Sequence, residues 1–239
     1  MKTNHPALPL AALLSMAVTG MAAPATLSFR SGGKPISVEA FHPPAGERTP
    51  ALIVLHGASG PLAGNEYVRQ LAGAFALQGY ATFLVHYFDR TGTTYAGDAL
   101  IRQNYEIWRQ TIGEAVDFVA KQPGVDPKRI ALMGYSLGGY LSVTHAGRDP
   151  RVRAVIEIAG GLDDETRSRS KKMPPVLVIH GEADRRVPVE EGRKLESWLS
   201  KLGGEHETHF YPGEGHLLSP RAALEALALG KTFLDKHLR

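Results

Sequence analysis

Apolar positions along the chain fall into two alternating kinds of segment. Short continuous apolar runs ending in glycine read as buried parallel strands, and longer stretches with apolar residues every three or four positions read as amphipathic helices. The strands are expected over 51–57 ("ALIVLHG"), 81–88 ("ATFLVHYF"), 129–134 ("RIALMG"), 152–160 ("VRAVIEIAG") and 174–181 ("PPVLVIHG"). Between them, helical spacing runs over 66–79, 98–121, 137–147 and 188–204, and a last helix over 220–238. In 98–121 the apolar side is carried by Leu100, Ile101, Ile107, Trp108, Ile112, Val116 and Val119. Glycines at 79 and 203–204 are placed to stop their helices. Residues 206–213 alternate like an edge strand, and 25–44 read as an antiparallel hairpin at one edge. Strands alternating with helices imply parallel pairing and right-handed crossovers, so the expected fold is a doubly wound α/β sandwich.

A chain of 239 residues is long enough to bury a full core in a single domain, here expected over 23–239. The first residues change that picture only at the edge. Lys2, an apolar run from Ala7 to Met21 and then small residues have the layout of a secretory signal peptide over 1–22, with cleavage after Ala22 or Ala25. Export, to a periplasmic or outside location, is the expectation. The apolar run is short for a membrane span, and no other segment reaches 18 apolar residues, so no span is expected in the mature chain. There are no cysteines, which removes disulfides, thiol nucleophiles and cysteine-based metal sites together. The net charge is only +3, and the longest basic cluster, "RSRSKK" at 167–172, reads as a solvated loop, so nucleic acid is not an expected partner.

Open α/β sheets bind their ligands at the carboxyl ends of the strands. Useful chemistry should therefore sit just after the predicted strands. "GYSLGG" (134–139) does so, between the strand at 129–134 and the helix that follows. A serine raised on a sharp strand-to-helix turn leaves no room for side chains two positions before and after it. Gly134 and Gly138 supply that room, and the amides of the next helix point at any negative oxygen formed there. Ser136 thus reads as a nucleophile on an elbow.

A serine hydroxyl needs a base, and the base needs an orienting acid. "EADRRVP" places Asp184 after the strand at 174–181, and "GEGHLLS" places His216 on a turn after the last strand. Asp163 and Asp164, after the strand at 152–160, are rivals for the acid role. His56 and His180 read as buried hydrogen-bonding residues that shape the turns "HGAS" and "HGEAD", while His86 also ends a strand. Two amide donors are needed for an oxyanion, and the backbone N–H of Leu137 and of Ala58, with Ser59 second, are the candidates.

"LIVLHGASG", "GYSLGGYL", "VIHGEADRRVP" and "YPGEGHLL" together resemble the α/β-hydrolase superfamily and, within it, the dienelactone hydrolase family, over about residues 27–238. The pair HGxxDxxVP and YPGxxH is fairly specific to that family and its prolyl-oligopeptidase-like neighbours. The resemblance implies the α/β-hydrolase fold, a set of Ser136, Asp184 and His216, a small ester or lactone as substrate, and no cofactor. It departs at the elbow, where dienelactone hydrolases proper carry cysteine and this chain carries serine, which turns the expectation toward a general ester hydrolase. Residues 161–173 are too few for a lid domain. In the loop 86–97, Tyr87 and Arg90 are candidate pocket residues. Family members that take acidic substrates make Arg90 and Arg221 candidates to hold a substrate carboxylate. A small peptidase or acyl-aminoacyl hydrolase, and a non-catalytic binder on the same scaffold, are the competing functional expectations.

Overall fold

The computed structural model describes residues 23–42, 48–60 and 65–239. The predicted signal segment 1–22 lies outside the described residues. Among these residues eight strands form one sheet: β1 (Ala25–Ser31), β2 (Lys34–Phe41), β3 (Thr49–Leu55), β4 (Ala81–Val85), β5 (Val125–Tyr135), β6 (Val152–Ile158), β7 (Val176–Gly181) and β8 (His206–Tyr211). Their spatial order is β1-β2-β4-β3-β5-β6-β7-β8. β1 and β2 form the expected antiparallel hairpin at one edge, and β2 also runs antiparallel to β4. All other pairings are parallel, and β8 is the opposite edge.

Among the described residues six helices cover the two faces: α1 (Asn65–Leu77), α2 (Asp98–Val119), α3 (Leu137–Ala146), α4 (Asp164–Arg169), α5 (Val189–Lys201) and α6 (Pro220–Leu238). Two apolar layers result, because each central strand is apolar on both faces. Ile53 and Leu55 of β3 pack with Trp108 and Ile112 of α2, Leu141 of α3 and Leu195 of α5. Leu52 and Val54, one residue out of phase, pack with Phe75 of α1 and Phe233 of α6. The continuous apolar runs of the sequence are what burial on both faces requires. This is the doubly wound arrangement of the α/β-hydrolase fold. Between β6 and β7 the described residues hold only the six-residue α4, so no cap domain covers the strand ends there. Among the described residues no helix is long and apolar enough to cross a membrane.

Two local expectations are corrected. The strand expected over 81–88 ends at Val85, and Tyr87–Arg90 form a short 3-10 turn instead. Tyr87 and Phe88 are apolar because they are buried against His56 and Trp108, not because they continue the ladder. Leu100, assigned above to the core side of the helix over 98–121, is 42% exposed. The neighbouring Ile101 packs against the core in its place.

Candidate active site

Ser136 stands between β5 and α3 with φ 55° and ψ −120°, a left-handed conformation that side chains rarely adopt. The flanking glycines explain how it is reached. A Cβ on Gly134 would lie 2.0 Å from the carbonyl oxygen of Gly138, and one on Gly138 would lie 2.4 Å from that of Leu55. The strain is held by backbone bonds: Ser136 donates its N–H to Ile158 O at 2.8 Å, and its carbonyl accepts from Gly139 N at 2.8 Å.

Asp184 and His216 reach the serine from two further turns. His216 Nδ1 lies 2.7 Å from Asp184 Oδ2, and its Nε2 lies 3.0 Å from Ser136 Oγ. Asp184 Oδ1 accepts the N–H groups of Arg186 and Val187 at 2.8 and 2.9 Å. This leaves Oδ2 for the histidine. The Asp184 side chain is wholly buried, whereas that of His216 keeps 22% of its surface exposed. The two turns are tied to each other by the Ala183 N–H, which donates to Glu214 O at 2.8 Å. Gly181 is needed for that contact, since a Cβ there would lie 2.4 Å from Glu214 O. Glu214 in turn accepts from the N–H and the hydroxyl of Ser219, both at 2.6 Å, and so fixes the far end of the His216 turn. Tyr135 donates its hydroxyl to His216 O at 3.2 Å.

The rival acids do not reach His216, although Asp163 lines the cleft beside Ser136. Asp163 caps α4 by accepting the Thr166 N–H at 2.9 Å, and Asp164 pairs with Arg167 at 2.7 Å. His56 and His180 fill the structural roles expected of them. His56 is fully buried and donates from Nδ1 to Gly57 O at 2.8 Å, and burial lowers its pKa to about 3, so it stays neutral. His180 donates from Nε2 to Val187 O at 2.9 Å. His86 lies 3.1 Å from Glu39.

Leu137 opens α3, so its N–H belongs to the first helical turn and has no intrahelical acceptor. Among the described residues, the Ala58 N–H makes no hydrogen bond either. Both residues line a cleft of about 550 Å³ together with Ser136, a size suited to a small organic ligand. Ile101, Tyr105, Tyr140 and Val187 form much of its remaining wall, Arg102 and Arg186 bring positive charge to it, and Asp98, Glu106, Asp163 and Glu165 bring negative charge. Burial pushes the phenols of Tyr105 and Tyr140 up, so both remain neutral donors at ordinary pH.

The three expected substrate contacts lie away from this cleft. Tyr87 is wholly buried and donates its hydroxyl to His56 O at 2.8 Å, bracing the turn that carries Ala58. Arg90 donates to Gly32 O at 3.3 Å, in the β1–β2 turn. The Arg221 side chain is 90% exposed on α6 and pairs with Glu225 at 3.1 Å. Sequence reading missed Tyr105, Tyr140, Arg102 and Arg186. Those on α2 and α3 are ordinary helix positions, and nothing local marks them as facing a cleft.

The fold and the strand-end site define the class: an α/β hydrolase. A family model described as the dienelactone hydrolase family matches residues 37–223, and the chain belongs to that family. It is similar to a Salmonella typhimurium protein named "Putative carboxymethylenebutenolidase", 24% identical, over 90% of this chain and 87% of that one. It is also similar to an "Uncharacterized peptidase" of Bacillus subtilis, 24% identical, over 81% of this chain but 35% of that one. The chain spans about a third of the length of the first curated relatives it matches. Among solved structures, a dienelactone hydrolase-like promiscuous phosphotriesterase from metagenomic libraries superposes with a TM-score of 0.78 at 18% identity, over 92% of this chain and 100% of that one.

Proposed function

We propose that this hydrolase cleaves carboxylic esters or lactones through an acyl-enzyme on Ser136. The observation that carries the reading is the continuous chain from buried Asp184 through His216 to the Ser136 hydroxyl, at 2.7 and 3.0 Å. Ser136 Oγ attacks the substrate carbonyl carbon as its proton passes to His216 Nε2. Asp184 keeps the other imidazole proton on Nδ1, so that Nε2 is the free base, and it stabilises the imidazolium that forms. The N–H groups of Leu137 and Ala58 receive the oxyanion. The alkoxide then leaves with the proton from His216, and a water molecule repeats the sequence to release the acid and free Ser136.

A peptidase reading rests on the similarity to the Bacillus subtilis protein, whose name is that of a peptidase. The same residues would serve it, with an amine as leaving group. Export is proposed on the layout of residues 1–22 alone. The test is a panel of p-nitrophenyl esters of graded chain length beside matched anilides, with Ser136→Ala as control. Ester turnover that disappears in the variant supports the reading. Preference for anilides moves it to the peptidase, and no turnover of either moves it to a binder.

A further inference from the structure

Beneath the elbow lies a carboxylic acid that the mechanism above does not use. Glu157 is the penultimate residue of β6, is 0% exposed, and stands beside Gly134 in the sheet register. Its Oε1 accepts the N–H of Gly160, while its Oε2 is buried without a hydrogen-bond partner. The turn that this bond closes, Ile158–Gly160, grips Ser136 at both ends. Ile158 O accepts the Ser136 N–H at 2.8 Å, and Gly160 is so close that a Cβ on it would lie 2.8 Å from Ser136 O. The turn is itself strained, since Ala159 has φ 52°. Oε1 also lies 3.0 Å from where a Cβ on Gly139 would stand, against the first turn of α3.

From this geometry we infer that Glu157 is a positioning residue for the nucleophile, holding the Ile158–Gly160 turn against Ser136 and doing so in its neutral, protonated form. The inference rests on the reading of Ser136 as nucleophile. Truncating the side chain to a methyl would leave the Gly160 N–H buried and unsatisfied in a turn already strained, and the turn would relax away from the serine. Ionising it would set a negative charge under the site where an oxyanion forms, which opposes the reaction. Among the described residues no cation is set against such a charge. Tyr140 faces Glu157 from α3, with Glu191 of α5 and Asp184 beyond the phenol, and each of these is neutral or negative. Burial accordingly raises the pKa of Glu157 to about 8, against the pull of the Gly160 N–H.

The test follows the rate at which a fluorophosphonate labels Ser136, read by intact mass between about pH 6 and 10, alongside ester kcat and KM. The parent should label progressively more slowly above about pH 8, by roughly tenfold in all. Glu157→Gln keeps the acceptor for Gly160 and cannot ionise, so it should label at the parent's neutral rate within about threefold and show no alkaline decline. Glu157→Ala should be slower at every pH by about tenfold or more in labelling and kcat, with KM little changed. An alkaline decline in the glutamine variant like the parent's, or a parent with no decline, overturns the inference. So does an alanine variant with the parent's labelling rate; should it fail to fold, the parent and glutamine profiles decide. A parent whose Ser136 takes no label at any pH overturns instead the functional reading on which the inference stands.

Discussion

Replacing Asp184 by asparagine changes one atom, and the structure dictates which way the new amide must turn. Oδ1 accepts two backbone N–H groups, from Arg186 and Val187. In Asp184→Asn that place must keep the oxygen, because an NH2 there would face two donors. The NH2 is then forced into the position of Oδ2, 2.7 Å from His216 Nδ1. It can only donate, so the imidazole must present a lone pair at Nδ1 and carry its proton on Nε2, against Ser136 Oγ. The base is then occupied. A second donor conflict adds to this, since His180 Nε2–H, 3.4 Å from Oδ2, would also face the NH2. The loss expected for a wrong tautomer is about 10⁴-fold in kcat, or about 5 kcal/mol of barrier. Stability should fall far less, by about 1–3 kcal/mol for weakened buried hydrogen bonds, which is a few degrees in Tm for a chain of this size. The assay is steady-state ester hydrolysis with a thermal melt on the same preparation. An asparagine variant within tenfold of parental kcat would refute the reasoning, and so would a collapse of kcat matched by loss of the folded state.

Three further outcomes follow from other contacts. Gly134→Ala drives a Cβ to 2.0 Å from Gly138 O and 2.5 Å from Ser142 Oγ, so it should cost about 1–3 kcal/mol or more and most ester activity, checked by denaturant titration and kinetics. Glu157 has a folded pKa of about 8 against 4.5 for the free group, so the protein keeps a proton there that the unfolded chain releases. Its contribution to stability is complete below about pH 4.5 and is lost as pH rises through about 8; Glu157→Gln should therefore gain on the parent in Tm between pH 5 and 9, and a constant difference would count against it. Arg90→Ala and Arg221→Ala should leave the kcat/KM ratio of acidic to neutral esters within about twofold, because both side chains lie outside the cleft and exposed pairs contribute little.

Strand and helix were legible wherever burial was two-sided or periodic. The central strands read as continuous apolar runs because β3, β5, β6 and β7 are covered on both faces, and α2 read correctly over nearly its whole length. Tyr87 and Phe88 misled for the same reason, since a buried loop is as apolar as a buried strand. The residues Ser136, Asp184 and His216 were legible as candidates because each follows a strand within a glycine-marked turn, and at Gly134, Gly138 and Gly181 a Cβ would lie within 2.4 Å of a backbone oxygen. The cleft wall was not legible. Tyr105 and Arg102 take their place from the way α2 crosses the strand ends, which no local spacing encodes. Glu157 was hidden inside the run "VIEI", where a single acid looks like an interruption rather than a contact with the elbow.

The proposed acyl-enzyme is tested most directly by trapping it. A p-nitrophenyl ester reaction quenched in acid during turnover should yield, by peptide mass spectrometry, one acyl adduct on the peptide bearing Ser136, and none in Ser136→Ala, which should also lose turnover. Sustained ester hydrolysis by Ser136→Ala at the parental rate, or an adduct on any other residue, would contradict it.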